Sequence, residues 1–285
     1  MSNCTRFEVI DNIGIMTLCR PPVNAVNEQI KLDMIELFES VNDGRIDVHA
    51  IILCSDQKGF CGGADTKEWY GPDMGVRERS TPLINRMQNA IYRCNVPVIA
   101  AVNTFAIGMG FGIVSLCDVI LCDKDAWFMF PEINVGSVGA PTWLTRIMPE
   151  KMARYYLMTG EKIPAEEMYR LGCVLKVVEK EALMDEAMAV ARKLTAKYPP
   201  ALWAVKTIMN QCECEVQDAI SITTRTRDFG NKTILGDDPN KKEMTMAFNE
   251  HRKPVYDLGM LEIQQKKIKD YRESKDIGYA AFTQE

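Results

Sequence analysis

Two glycine-rich segments, Gly59-Phe60-Cys61-Gly62-Gly63-Ala64-Asp65 and Ala106-Ile107-Gly108-Met109-Gly110-Phe111-Gly112, constrain this chain more than any other feature. Each follows a β-branched apolar run, Val48 to Cys54 and Val96 to Val102, and each precedes a helical pattern. Such runs read as buried strands, and Pro97, which lacks an amide donor, belongs at the entrance of the second. The spacing predicts two places where unpaired backbone N–H groups point at one oxygen that becomes negative.

The flanking pattern supports an α/β fold. Thr5 to Leu18 reads as a hairpin turning at Asp11-Asn12. Asn27 is placed to cap a helix running to about Val41, whose Ile30, Met34, Leu37 and Val41 recur at helical spacing. A second amphipathic helix is expected from Pro82 to about Cys94, and short strands at Val119 to Cys122 and Ala126 to Phe130. After Val178 the texture becomes nearly all helical: Leu183 to Leu194, Pro200 to about Asn210, and Val216 to Phe229. Gly236-Asp237-Asp238-Pro239 then breaks the chain. The stretch Leu258 to Lys275 is helical in pattern but strongly charged, which predicts a peripheral helix or a subunit contact. The domain reading is a core over 1–195, a helical assembly region over 196–256 and a charged extension over 257–285.

Bulk properties exclude several classes. With 34 basic and 39 acidic residues the net charge is -5, poorly suited to a nucleic-acid footprint. No signal-peptide core is visible in the first twenty residues, and no apolar run reaches the ~20 residues of a membrane span, so a soluble, cytoplasmic protein without membrane or nucleic-acid partners is expected. The ten cysteines sit mostly in or beside apolar runs, where free thiols behave as small hydrophobes; neither a disulfide framework nor a metal site is expected.

Only His49 and His251 are available as histidines, and neither a G-x-S-x-G elbow nor an H-E-x-x-H or Walker sequence occurs. Gly108-x-Gly110-x-Gly112 lacks the full dinucleotide spacing, so close helix packing and an anion or oxyanion site stand as alternatives there. An acid/base candidate is Glu132 in Phe130-Pro131-Glu132-Ile133-Asn134-Val135-Gly136, since a carboxylate sheltered by apolar neighbours exchanges protons near neutral pH. The competing reading is a carboxylate satisfied by backbone donors at a helix start. Asp118, Asp123 and Asp125, near strand ends, are further candidates.

Several ordered motifs resemble those of the crotonase superfamily, the enoyl-CoA hydratase/isomerase family: Arg20-Pro21-Pro22-Val23-Asn24-Ala25-Val26-Asn27, Phe60 to Glu68, Ala101-Val102-Asn103 through Cys117-Asp118, and Pro131-Glu132 through Gly136. The resemblance implies a spiral of ββα units with a helical C-terminal region, assembly as a homotrimer or dimer of trimers, and a CoA thioester substrate, with coenzyme A part of the substrate and no separate cofactor. Position matching implies oxyanion-hole amides at Ala64 and Met109, supported by Gly62, Gly63, Gly108 and Gly110, and a catalytic carboxylate at Glu132. The chain departs from the two-glutamate hydratases at Gly112, where they hold their other glutamate. One base suffices for a double-bond shift, so an enoyl-CoA isomerase is the leading expectation. The alternatives are a hydratase or dehydratase, a hydrolase, C–C cleaving enzyme or decarboxylase of the same family, or a non-catalytic assembly protein. Lys58, Asp65, Thr66, Lys67, Arg252 and Lys253 are CoA-binding candidates; Trp69, Tyr70, Met74 and Trp143 are acyl-pocket candidates, the first three on an expected irregular lid.

Overall fold

Alternation of side chains across one sheet organises the larger part of the molecule. In the computed structural model, which describes residues 2–69, 74–137, 139, 141–212, 239–250 and 252–255, strands β1 (Thr5–Ile10) and β2 (Ile13–Leu18) form the expected hairpin. Asp11 and Asn12 both take positive φ, 53° and 60°, the backbone that a two-residue turn matched to strand twist requires. Helix α1 (Glu28–Asn42) follows, its first turn capped by the Asn27 side chain, which accepts the Ile30 N–H. The chain continues through β3 (Ala50–Ser55), α2 (Thr66–Trp69), α3 (Met74–Tyr92), β4 (Val98–Val102), β5 (Phe105–Ile107), α4 (Met109–Ser115), β6 (Val119–Asp123) and β7 (Trp127–Met129). After α5 (Pro141–Ile147), α6 (Glu150–Thr159), β8 (Ile163–Pro164), α7 (Ala165–Arg170) and β9 (Lys176–Val178), helices α8 (Leu183–Thr195) and α9 (Pro199–Cys212) complete the series, with Pro239–Asn249 as a further helix.

The chain divides into two compact units, 1–131 with 140–221 and 132–139 with 222–285. In the first, a six-stranded sheet has the order β1-β2-β3-β4-β6-β9, antiparallel at β1–β2 and parallel thereafter, and β5, β7 and β8 make a second sheet. Both faces of the inner strands β2, β3, β4 and β6 are buried. Met16, Leu18, Ile51, Leu53, Val98, Ala100 and Val102 pack in one apolar cluster with residues of α1 and α3. Ile13, Ile15, Ala50, Ile52, Ile99 and Ala101 pack with Leu183, Ala187, Val190 and Ala191 of α8 in another. Burial on both sides explains why β3 and β4 read as continuous apolar runs rather than alternating ones.

Two expectations are corrected. Helix α3 begins at Met74 and carries Pro82 inside it, whereas proline suggested a start there. Two residues before the proline, the buried Ser80 hydroxyl accepts from Lys31 Nζ of α1 at 2.7 Å. At the ends of the expected irregular lid, Trp69 closes α2 and Met74 opens α3. The rest of that lid, residues 70–73, lies outside the described residues, as do the expected helices at 216–229 and 258–275.

In the second unit the helix Pro239–Asn249 packs against the 3-10 turn Glu132–Val135. Among the described residues no helix is long and apolar enough to cross a membrane.

Candidate functional site

The first glycine-rich segment is bound on both sides. Cys61 pairs with the second segment, its N–H donating to the Phe105 carbonyl at 3.2 Å and its carbonyl accepting the Ile107 N–H at 2.9 Å. On the other flank the Gly62 N–H donates to Val23 O at 2.8 Å, the Val26 N–H to Gly63 O at 2.7 Å and the Asp65 N–H to Val26 O at 3.0 Å. These bonds leave the intervening Ala64 amide unused. Gly63 has φ +102°, and a Cβ there would stand 3.1 Å from Ile107 O and 3.9 Å from Met109 N, so the turn demands glycine and brings Ala64's loop beside the start of α4. Gly110 permits the same closeness from the other side: its Cβ would lie 2.5 Å from Cys61 Cβ and 2.8 Å from Cys61 O.

Helix α4 begins at Met109 with Gly108 as its cap and no side-chain cap bond. A first-turn amide has no partner inside its own helix. Among the described residues nothing accepts the N–H of Met109 or that of Ala64. The loop at Ala64 and the start of α4 therefore each carry an amide without an acceptor among the described residues.

A buried asparagine that the sequence reading left without a role ties this region together. Asn24 is wholly buried; its Oδ1 accepts the Arg20 N–H at 2.8 Å, and its Nδ2 donates to Ser55 Oγ at 2.7 Å and Phe60 O at 3.0 Å. The Arg20 guanidinium in turn pairs with Asp65 at 2.6 Å and donates to Ala25 O at 2.8 Å. Asp65, a CoA-binding candidate, is thus an internal fastener: its second oxygen accepts the Lys67 N–H at 2.9 Å. Lys58, Thr66 and Lys67 are exposed. The sequence signal for Asn24 is its place in the motif Arg20-Pro21-Pro22-Val23-Asn24-Ala25-Val26-Asn27, ahead of the first glycine loop.

At position 112 the space is already taken. A Cβ on Gly112 would stand 1.9 Å from Cζ3 and 2.1 Å from Cε3 of Trp143. Trp143, expected to line an acyl channel, is 6% exposed and packs with Phe130, at 6.3 Å between ring centroids. The side chains of Trp69 and Met74 fall outside the described residues.

The second unit holds Glu132. It opens the 3-10 turn, and Gly139, at φ +67°, approaches so closely that a Cβ there would lie 3.1 Å from Glu132 Cβ and 3.2 Å from Cγ. Although the residue as a whole is half-buried, its Oε2 is sealed from solvent and has no hydrogen-bond partner among the described residues. Burial pushes the carboxyl up from 4.5 to about 7, against a backbone hydrogen bond that lowers it. A backbone donor at the start of the turn is thus present but leaves one oxygen unsatisfied. Arg252, also in this unit, is engaged by Glu243 and by Glu250 at 2.6 Å, and its hydrogen bond holds the half-buried Glu243 down to about 2. Lys253 is exposed, and His251 lies outside the described residues.

The aspartate alternatives are structural. Asp118 accepts the Val98 N–H at 2.7 Å and pairs with Lys206 at 2.6 Å. Asp123 accepts the Thr104 and Asp125 amides at 2.8 and 3.0 Å. Burial raises the Asp123 carboxyl while those two donors lower it.

Comparison with known proteins adds to this geometry. The sequence profile described as enoyl-CoA hydratase/isomerase matches residues 8–258. A Rhodococcus jostii protein named (7aS)-7a-methyl-1,5-dioxo-2,3,5,6,7,7a-hexahydro-1H-indene-carboxyl-CoA hydrolase is 36% identical over 203 residues, covering 70% of this chain and 78% of that one. A Citrobacter koseri carnitinyl-CoA dehydratase is 35% identical over 214 residues, covering 73% and 80%. The crystal structure of a Mycobacterium smegmatis enoyl-CoA hydratase is similar with a TM-score of 0.70 at 29% identity, covering 90% of this chain and 99% of the other.

Proposed function

The chain belongs to the enoyl-CoA hydratase/isomerase family, with its crotonase-like α/β fold and helical C-terminal region, and is an enzyme of that family; from that premise we propose that it shifts a double bond in an acyl-CoA thioester. The Ala64 and Met109 amides donate to the thioester oxygen. Glu132 removes a proton from Cα of a 3-enoyl-CoA, electrons move into the carbonyl to give a dienolate, and the same carboxyl returns the proton at Cγ. Preorganised donors of this kind stabilise the developing charge by about 3 kcal/mol each.

The observation that carries this reading is Glu132. Among the described residues it is the one carboxylate with a sealed, unpartnered oxygen, and burial brings its proton affinity to about 7, where a group gives and takes protons with equal ease. The acyl-CoA substrate is supported by the relatives' names, both of which specify CoA thioesters. No separate cofactor enters the chemistry.

Hydration or dehydration is the second reading, favoured by the dehydratase relative. It needs a group other than residue 112 to hold water. Supplying the enzyme with trans-3-enoyl-CoA and trans-2-enoyl-CoA of equal chain length separates the two. Isomerisation at least tenfold faster than formation of 3-hydroxyacyl-CoA is expected. Fast hydration with oxygen-18 entering the product from labelled water would overturn the isomerase reading, and release of free CoA would point to hydrolysis, the activity named for the Rhodococcus relative.

Assembly as a homotrimer or dimer of trimers belongs to the same proposal. It is supported by the exposed apolar side chains of α9, where Val205, Ile208 and Met209 are 57%, 58% and 61% accessible. Light scattering at micromolar concentration tests it, and a monomeric mass would remove it.

A further inference from the structure

A helix position without a side chain leaves a hole unless a neighbour fills it, and at Gly112 the neighbour is Trp143. Carbon atoms in contact sit about 3.5–4.0 Å apart, so distances of 1.9 and 2.1 Å from the Cβ of any other residue to the indole mean that the ring occupies the volume a side chain would need. The ring is 6% exposed and meets Phe130 at 6.3 Å between centroids, and Phe130 in turn stacks on Phe111 at 4.8 Å, which meets Phe128 at 5.1 Å, so a larger residue at 112 would press on a packed aromatic cluster. Its one polar group is an N–H, a donor that cannot take a proton.

Position 112 lies one helical turn beyond Met109. We propose that Trp143 is the specificity-determining residue of this enzyme, closing with an aromatic wall the side of the site on which a carboxylate at 112 would activate water. This rests on the reading of Met109 as an oxyanion donor. Hydration places hydroxide on Cβ and a proton on Cα of the 2-enoyl thioester, which requires a base to take the proton that water gives up. Isomerisation moves a proton from Cα to Cγ and consumes no water. A wall of aromatic carbon blocks the first and leaves the second to Glu132.

The test compares the parent with Gly112→Ala, Trp143→Ala, the two combined, and Gly112→Glu combined with Trp143→Ala. Gly112→Ala is expected to lower the melting temperature by about 5 °C in the parent, as overpacking does, and by less than about 1 °C once Trp143 is alanine. The Gly112→Glu, Trp143→Ala enzyme is expected to raise the ratio of oxygen-18 incorporation to isomerisation at least tenfold over Trp143→Ala. Equal thermal shifts in both backgrounds would refute the interlock. A ratio unchanged within twofold across all folded variants would refute the role in specificity. Should Trp143→Ala fail to fold, Trp143→Leu carries the same two comparisons. Failure of the isomerase reading shows in the parent enzyme alone, from rapid hydration, whereas failure of this inference shows only in the differences between variants.

Discussion

The loop carrying Ala64 and the turn carrying Glu132 handle polar groups in opposite ways. Around Ala64 the flanking polar groups are paired: Cys61, Gly62, Gly63 and Asp65 all bond through the backbone, and Asn24 with Arg20 binds the segment from outside. At Glu132 a carboxylate oxygen is sealed without a partner. Saturation gives the loop one geometry, which suits the donor role proposed for Ala64. Deprivation gives the carboxyl a proton affinity near neutrality, which suits the proton transfer proposed for Glu132. Rigidity and a raised proton affinity thus fall in different places, and each depends on how many hydrogen bonds the sequence supplies there.

The sharpest break in the contrast is Glu132→Gln. It keeps the shape and removes the exchangeable proton, so turnover is expected to fall about 1,000-fold with no loss of melting temperature, as measured by coupled spectrophotometry and calorimetry. A variant keeping a tenth of the parent rate would remove Glu132 from the chemistry.

Next in size is Gly110→Ala, which drives a methyl group into Cys61. A loss of about 100-fold in kcat, the range for one displaced oxyanion donor, is expected alongside about 1–3 kcal/mol of stability. Unchanged kcat in a stably folded variant would separate the glycine's packing role from the amides.

Asn24→Ala comes third. It strips acceptors and donors from buried backbone at Arg20 and Phe60, at about 2 kcal/mol by denaturant unfolding, with kcat falling less than for either variant above. A cost below about 0.5 kcal/mol would mean that the loop holds itself.

The smallest effect is a matter of pH. The Glu132 carboxyl is raised from 4.5 to about 7, so between those values the folded chain binds more proton than the unfolded one. Stability must therefore fall as pH rises through that window, by about 1–3 kcal/mol, and the fall must vanish in Glu132→Gln. The rate constant kcat/KM should rise with pH and level off above about 7, since the base acts deprotonated. A parent enzyme whose stability rises through the same window would show that Glu132 is not sheltered in solution.

Much of this was legible in the chain. Asp11-Asn12, Asn27 and the apolar runs at β3 and β4 announced their structures because each depends on local chemistry: a turn that tolerates positive φ, a side chain that caps, a strand buried on both faces. The close approach at Gly63 and Gly110 was legible because glycine spacing records a backbone requirement. What could not be read were pairings between distant residues. Nothing in Trp143 says that it fills the place of a side chain at 112, and nothing in Gly139 says that it presses on Glu132; both are meetings of surfaces set by tertiary packing.

The thiol of Cys61 sits within the very loop that presents the Ala64 amide. Burial pushes this thiol up to about 12, so at neutral pH it stays in the protonated form, whereas the thiolate is what attacks electrophiles. For the unsaturated thioester of the proposed reaction, the close packing that shapes the loop would thereby also prevent alkylation of the protein by its ligand.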